Sequence, residues 1–420
     1  MTDFRYDVVV VGAGVAGLCA ATRLAESGAS VCVIAFGVGS THLAPGIVDV
    51  LGYAPERVEE PAWALPQFVE ARPDHPYALM GVDAVGPALD WFAERMARGP
   101  QPGYSYVGGL ERNLLLPTAL GVPRPSALVP ETFARGDLAD DSPICFVGVP
   151  GLRDFHASLC AANLARHGFE VRALELDIER GRPEDNSLGL AALFDDPAVR
   201  VAFTSRLAKL LQPGERVGMP AIVGLRDPHG AWTDLEERLG HQVFEIPTLP
   251  PSAPGKRVFE ALTAELRAAG GRLVLGARVV GADRDGARVT ALHTYTGSRD
   301  TVYGAGQVVL ATGGFASGGI ELDSEWQTRE RALGLPLRGL PGPGEPRFGP
   351  DYFSDQPLSR VGVAVDSDQR AEGTDNVLVA GAALPGAEPW REGSGEGIAI
   401  TSGHRVAGLV LAEVGQAATA

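Results

Sequence analysis

The sequence predicts an α/β fold: a Rossmann-like FAD/NAD(P)-binding nucleotide domain with an α/β cap domain inserted into it. Three observations carry this expectation. Four consecutive valines, Val8 to Val11, lead into Gly12, Gly14 and Gly17, the spacing G-x-G-x-x-G at a strand-to-helix turn. A later apolar strand ends in Ala311-Thr312-Gly313-Gly314, and near the end Gly393-Ser-Gly-Glu-Gly397 opens a helix.

In the first unit Gly12 permits the tight turn, Gly14 admits a phosphate close to the backbone, and Gly17 lets the helix pack near the strand. The helix start then offers unpaired N–H groups and a positive dipole end to the anion. Small and apolar residues fill a helix from Val15 to Glu26, Gly28 stands at its stop, and Ser30 to Ala35 reads as a second buried strand. A dinucleotide fold carries Asp or Glu at the end of that second strand to hold a ribose. Here Ala35-Phe36-Gly37 stands there, and no carboxylate follows until Asp49. The adenosine half of FAD or NAD loses its usual anchor, which weakens the dinucleotide reading and leaves room for a mononucleotide such as FMN beside FAD.

The loop from Gly39 to Gly46 is rich in glycine and hydroxyls, and Ser40, Thr41 and Gly46 suit contacts to a flavin ring and its ribityl chain. His42 lies in the same loop, and its ordinary pKa makes it the candidate general base. Residues 60–140 are rich in Pro and Gly, Pro100 and Pro102 among them, around a helix near Val85 to Met96. A second strand-helix-strand unit spans Ile144 to Leu174, but its turn Gly148-Val-Pro-Gly151 is a poor dinucleotide fingerprint and reads as fold. A helix from about Asp196 to Leu211, strands from Arg216 and Gln242, and a proline-stiffened wall from Pro247 to Ser252 follow.

Lys256 and Arg257 occupy the first turn of the next helix, against the dipole preference for acids there. They are the candidate clamp for an anionic substrate, with two solvated side chains as the plain alternative. Strands over 272–280, 288–296 and 301–310 lead to Thr312 and Gly313, a second nucleotide-contacting turn. Asn376 to Gly386 reads as a strand ending in glycines, placing Gly381 at the site, and the helix start brings Gly395 and Gly397 to the flavin. Ala382 stands where an acid follows that glycine in many proteins of this kind.

The 420 residues suffice for two domains, with 45% apolar and 21% charged residues. The expected division is 1–55 with 255–320 and 360–420 as a discontinuous nucleotide domain, 56–254 as the inserted cap and substrate domain, and 321–359 as an irregular connection. The formal charge of −16, from 52 acidic and 36 basic residues, disfavours nucleic acid and anionic membrane surfaces. The four cysteines, Cys19, Cys32, Cys145 and Cys160, are scattered without a C-x-x-C, so no metal or iron–sulfur site is expected and a reducing cytoplasm fits. No apolar run approaches the ~20 residues of a membrane span, and no secretion signal opens the chain.

The three glycine segments in this order resemble the fumarate reductase and succinate dehydrogenase class of flavoproteins. More specifically, the chain resembles the family of B subunits of anaerobic glycerol-3-phosphate dehydrogenase. The residues that carry this are Thr41 to Leu51, Ile144 to Phe155, Pro247-Thr-Leu-Pro-Pro-Ser252, Ala311 to Gly319 and Asp351-Tyr-Phe-Ser-Asp-Gln-Pro357. The resemblance implies an FMN-carrying subunit of a complex that oxidises sn-glycerol 3-phosphate to dihydroxyacetone phosphate. It implies two partners, a larger FAD-binding catalytic subunit and an iron–sulfur, membrane-anchoring subunit that passes electrons to quinone. This chain would then lie in the cytoplasm, peripheral to the membrane through a partner. Before Val361 the chain lacks the His-x-Gly-Gly pattern of the dicarboxylate enzymes, which argues against fumarate or succinate chemistry. Ala35 and Ala382 keep open a flavin-poor scaffold that relays electrons or supports assembly, and a standalone flavin-dependent reductase is the third option.

Overall fold

In a computed structural model, residues 4–99, 104–178, 186–297 and 299–419 are described, with side chains through 413; Pro100 and Pro102 lie outside them. The valine run forms β1 (Phe4–Val11), which passes through the Gly12–Gly14 turn into α1 (Val15–Glu26) and on to β2 (Val31–Ala35). A helix α2 (Val85–Arg98) precedes four short strands, β3 (Ile144–Gly148), β4 (Val171–Glu175), β5 (Arg216–Pro220) and β6 (Val243–Ile246). Then come α3 (Ala253–Ala268), β7 (Arg272–Leu275), β8 (Arg278–Asp285), β9 (Arg288–Tyr295), β10 (Asp300–Leu310), β11 (Val377–Val379) and α4 (Gly395–Thr419).

The first sheet runs β7-β2-β1-β10-β9-β8, with β11 also paired to β10. β7, β2, β1, β10 and β11 are mutually parallel, and β9 runs antiparallel to both of its neighbours, β10 and β8. Strand alternation sorts the valines. Val8 and Val10 enter the core shared with the helices, whereas Val9 and Val11 enter the core on the opposite face. The second sheet, β6-β5-β3-β4, is wholly parallel and has its own core around Phe146, Phe194, Phe203, Trp232 and Phe244.

The cores do not follow the expected boundary at residue 55. Val85, Ala88, Leu89, Phe92 and Met96 form a stripe at helical spacing on α2, and it is buried in the core of the first sheet, with Leu65, Tyr77, Tyr104 and Tyr106. The apolar stripe on α2 has to be covered, and α3 and α4 supply the matching faces. The strand expected over 272–280 breaks at Gly276 into β7 and β8.

The two cores are joined by a buried ion pair. Arg257 on α3 and Glu245 on β6 are both fully covered; Arg257 Nη1 donates to Glu245 Oε2 at 2.7 Å and Nη2 to Oε1 at 3.0 Å. The remaining donors reach the Val223 and Gly224 carbonyls, and Glu245 also accepts from Thr132 Oγ1 and Val223 N–H. The guanidinium lies 5.4 Å from the centre of the Tyr104 ring. Burial opposes the charge on Arg257, but Glu245 and Tyr104 together outweigh it and hold the group above its usual pKa. Removing one partner strands a buried charge, so Arg257→Ala should cost about 3–5 kcal/mol, and a matched apolar pair should recover most of it. Denaturant melts of the single and double variants measure this; equal loss in both would refute it.

Candidate functional site

Gly12 has φ +115°, and a Cβ there would sit 2.2 Å from the Ala311 carbonyl oxygen, so only glycine lets the ends of β1 and β10 meet. Gly17 is closed in the same way, 2.1 Å from Gly12 O. Gly14 is the reverse case: a Cβ would meet nothing within 4 Å. No side chain caps α1, so its first-turn N–H groups and that open space together suit a phosphate.

The loop after β2 folds as a 3₁₀ turn, Gly39–Leu43, and is fastened to α3. Ser252 N–H donates to His42 O at 3.1 Å, and Gly255 passes so near that a Cβ would be 2.1 Å from Thr41 O. Thr41 is buried while Ser40 is exposed. Gly46 lies against Pro254, and its carbonyl accepts from Tyr106 Oη at 2.5 Å. Thr41 Oγ1, His42 Nε2 and Thr312 Oγ1 are all buried and all without a protein hydrogen-bond partner. Three orphaned polar atoms beside an open glycine turn fit a phosphate-bearing flavin, which supplies the missing partners.

Gly381 and Gly395 line one cavity of about 710 Å³, with Gly314, Ala382, Phe315 and Trp390. Gly313 lies in the turn between Thr312 and Gly314, and Gly397 follows Gly395 but is packed inward, its N–H donating to Asp49 O at 2.9 Å. A larger cleft of about 1110 Å³ lies on the other side of Trp390, lined by Glu56, Glu59, Glu60, Trp63 and Arg72, away from the glycine turns. Its carboxylates suit a phosphate poorly.

The expected phosphate clamp does not form. Arg257 points into the junction between the cores and is fully used there, while Lys256 pairs with Glu260 one helical turn on. His42 is packed edge-on against Phe259, ring centres 4.9 Å apart, and burial, then Lys256, lowers its pKa. At the end of β2, Arg278 lies 4.3 Å above the exposed Phe36 ring, where a ribose-binding acid would stand.

A charged cluster emerges that the sequence does not mark. Asp49, 1% exposed, pairs through Oδ2 with Arg124 of the hairpin formed by Leu114–Pro117 and Pro123–Ser126. Glu396, in the first turn of α4, has its pKa raised to about 7 by burial and then by Asp49. Below this turn His75 Nδ1 accepts from Tyr77 N–H, so its Nε2 donates to Glu392 Oε2 at 3.1 Å, and Ser394 Oγ joins the same oxygen. Glu396 lies inside a motif notable for its glycines, whereas nothing in the local sequence distinguishes Arg124.

Because the folded state holds the Glu396 proton more tightly than the unfolded chain, its contribution to stability is present below about pH 4.5 and is lost as pH rises to about 7. Wild-type Tm should fall across that interval relative to Glu396→Gln, as thermal melts at constant ionic strength will show; parallel curves would contradict it.

A family model described as FAD binding domain matches residues 7–398. The B subunit of anaerobic glycerol-3-phosphate dehydrogenase from Pectobacterium atrosepticum is 32% identical over 428 residues, covering 97% of this chain and 99% of the relative. Its probable counterpart in Halobacterium salinarum is 33% identical over 434 residues, covering 97% and 98%. The Vibrio cholerae B subunit is 30% identical over 431 residues, covering 98% of each. With the parallel sheet, the open glycine turn and matches along nearly the whole length, the chain belongs to the FAD-binding domain family and, within it, to the family of B subunits of anaerobic glycerol-3-phosphate dehydrogenase.

Proposed function

We propose that this chain is the flavin-carrying subunit of a complex that oxidises sn-glycerol 3-phosphate to dihydroxyacetone phosphate and delivers the electrons to quinone. The observation that carries the proposal is the full-length match to the B-subunit relatives, together with a cradle of the right polarity at Gly14, Thr41 and Thr312. A flavin bound here would supply a two-electron acceptor. The chain's own part is to hold it. Gly14 and the start of α1 take a phosphate, and Thr41, His42 and Thr312 hydrogen-bond the remainder. Ser40 and Gly46 would flank the ring edge, and Gly313, Gly381 and Gly395 would bring backbone against it, whereas Gly397 faces inward onto Asp49.

The flavin we assign is FMN. Arg278 over Phe36 offers a cation and a ring face where an adenosine ribose needs a carboxylate. The match to an FAD-binding family model favours the second reading, FAD held through other contacts. The partners in this reading are an FAD-binding catalytic subunit and an iron–sulfur subunit that anchors the complex at the cytoplasmic membrane face. No helix among the described residues is long and apolar enough to cross a membrane.

Purifying the chain and identifying the chromophore released by heat tests the assignment. FMN is the expected result. FAD would overturn the choice of flavin, and no flavin would favour a scaffold that docks the catalytic and iron–sulfur subunits. Gly14→Val should keep the fold, since its Cβ meets nothing within 4 Å, yet weaken flavin binding at least about tenfold by filling the phosphate position. Gly12→Val should fail to fold. Flavin-to-protein absorbance and circular dichroism separate the two outcomes, and a Gly14→Val protein with full flavin content would refute the phosphate position.

A further inference from the structure

The larger cleft, of about 1110 Å³, takes no part in the flavin cradle. One wall is the helix Pro61–Ala71, whose buried positions are Pro61 and Leu65. Trp63, Ala64, Gln67, Phe68 and Ala71 line the cleft instead, and their four-residue spacing makes them one helix face. Trp63 on that face is 68% exposed. Trp390 lines the same cleft, 46% exposed, and continues the aromatic surface outward. Tyr352 lies 6.1 Å from Trp390 and Phe353 5.3 Å from Tyr352, ring centre to ring centre, and the two are 78% and 80% exposed. Exposed apolar residues scattered singly need no explanation, but a connected group of large aromatic rings marks a contact surface.

The charges on this surface are unequal. Arg57 pairs with Glu59, Arg72 with Glu392 and the Gly386 carbonyl, and Arg391 with Glu388 and the Phe353 carbonyl. Glu56 and Glu60, both exposed and both lining the cleft, have no ion pair among the described residues. A second copy docked here face to face would bring its own Glu56 and Glu60 against these, in a chain whose formal charge is already −16. Nucleic acid and anionic lipid are repelled for the same reason. A cationic protein surface is attracted.

We infer that this cleft and the aromatic surface around Trp390 dock a segment of another subunit of the proposed complex, one that carries Lys or Arg beside apolar side chains. The inference deepens the functional reading by naming where the partner sits, and it rests on that reading for the partner's identity. The segment's cations pair with Glu56 and Glu60 and lie over the faces of Trp63 and Trp390, and its apolar side chains cover Ala64 and Phe68. Trp390 also lines the 710 Å³ cavity at the glycine turns. A subunit docked here therefore shares a side chain with the cavity at which electrons enter or leave the proposed flavin.

The test uses the full-length chain and the FAD-binding and iron–sulfur subunits of the same organism, each purified, with association followed by biolayer interferometry against salt. Trp63→Ala and Phe353→Ala should each weaken binding of one subunit at least about tenfold, with Trp63→Phe restoring most of the loss. Glu56→Lys combined with Glu60→Lys should slow association and flatten its salt dependence. Two controls, Tyr295→Ala at a site 52% exposed on β9 and the charge-matched pair Glu237→Lys with Asp285→Lys, should stay within about threefold of wild type. Circular dichroism melts establish that each variant is folded. Folded Trp63→Ala and double-lysine proteins that bind both subunits as wild type does overturn the inference, and so does an equal loss in the controls. A second arm needs no subunit: a peptide of alternating Lys and Leu should bind wild type and change its tryptophan fluorescence, and the response should be lost in the Glu56→Lys, Glu60→Lys protein but kept in the charge-matched control. No response in wild type, or the same response in all three proteins, overturns the inference. Failure of wild type to bind either subunit would count against the proposed complex alone, and the peptide arm then decides the docking surface.

Discussion

The close approach of β1 and β10 at their carboxyl ends is the constraint on which the rest depends. Seven residues of β1 are paired in parallel register to β10, from Phe4 with Tyr303 to Val11 with Leu310, and the two turns that follow meet at Gly12 and Ala311. A parallel pair requires a crossover connection, and here that crossover takes in everything from residue 12 to residue 299. Everything from α1 to β9 must therefore be packed so that two turns far apart in sequence end within van der Waals contact. The open side of Gly14 exists because the closed sides of Gly12 and Gly17 fix the turn around it.

The inserted sheet is held to this frame by a different kind of interaction. Arg257 and Glu245 give no net advantage over a well-packed apolar pair in a protein interior, because desolvating two charges costs about as much as their attraction returns. What the pair does is orient. The guanidinium addresses the Glu245 carboxylate and two carbonyls in one plane, so α3 and β6 meet in one arrangement. The flavin loop inherits that order, since it is tied to the start of α3 through Ser252 and Gly255.

Much of the nucleotide fold was legible because its signals are local. The valine run, the glycine spacing and the helix stop at Gly28 each report a conformation within a few residues, and α1 forms over Val15–Glu26 as the pattern implies. The role of Arg257 was not legible, because a cation in a first helical turn looks the same in sequence whether it faces solvent or a carboxylate 12 residues earlier. The packing of α2 in the first core was equally hidden: its stripe of apolar residues announces a buried face, not the surface it is buried against. Asp49, Arg124 and Glu396 come from three distant segments, and only tertiary structure brings them together.

Glu396 shows how magnitudes settle a conflict between local and tertiary effects. An acid in the first turn of α4 is favoured in its charged form by the helix dipole, worth about 0.3–1 kcal/mol near a surface and up to about 2 kcal/mol in partly buried sites. That acting alone would lower its pKa. The shift runs the other way, from 4.5 to about 7, which corresponds to roughly 3 kcal/mol against ionisation. Burial and the Asp49 charge must therefore exceed the dipole and Arg124 together. A chain that lacks carboxylates at Ala35 and Ala382, where an extended dinucleotide would need them, thus buries two others, Asp49 and Glu396, close enough that one of them holds a proton near neutral pH. Acids that anchor hydroxyls need only be ionised and exposed, whereas Glu396 has a neighbour of like charge and is partly buried, and both favour its protonated form.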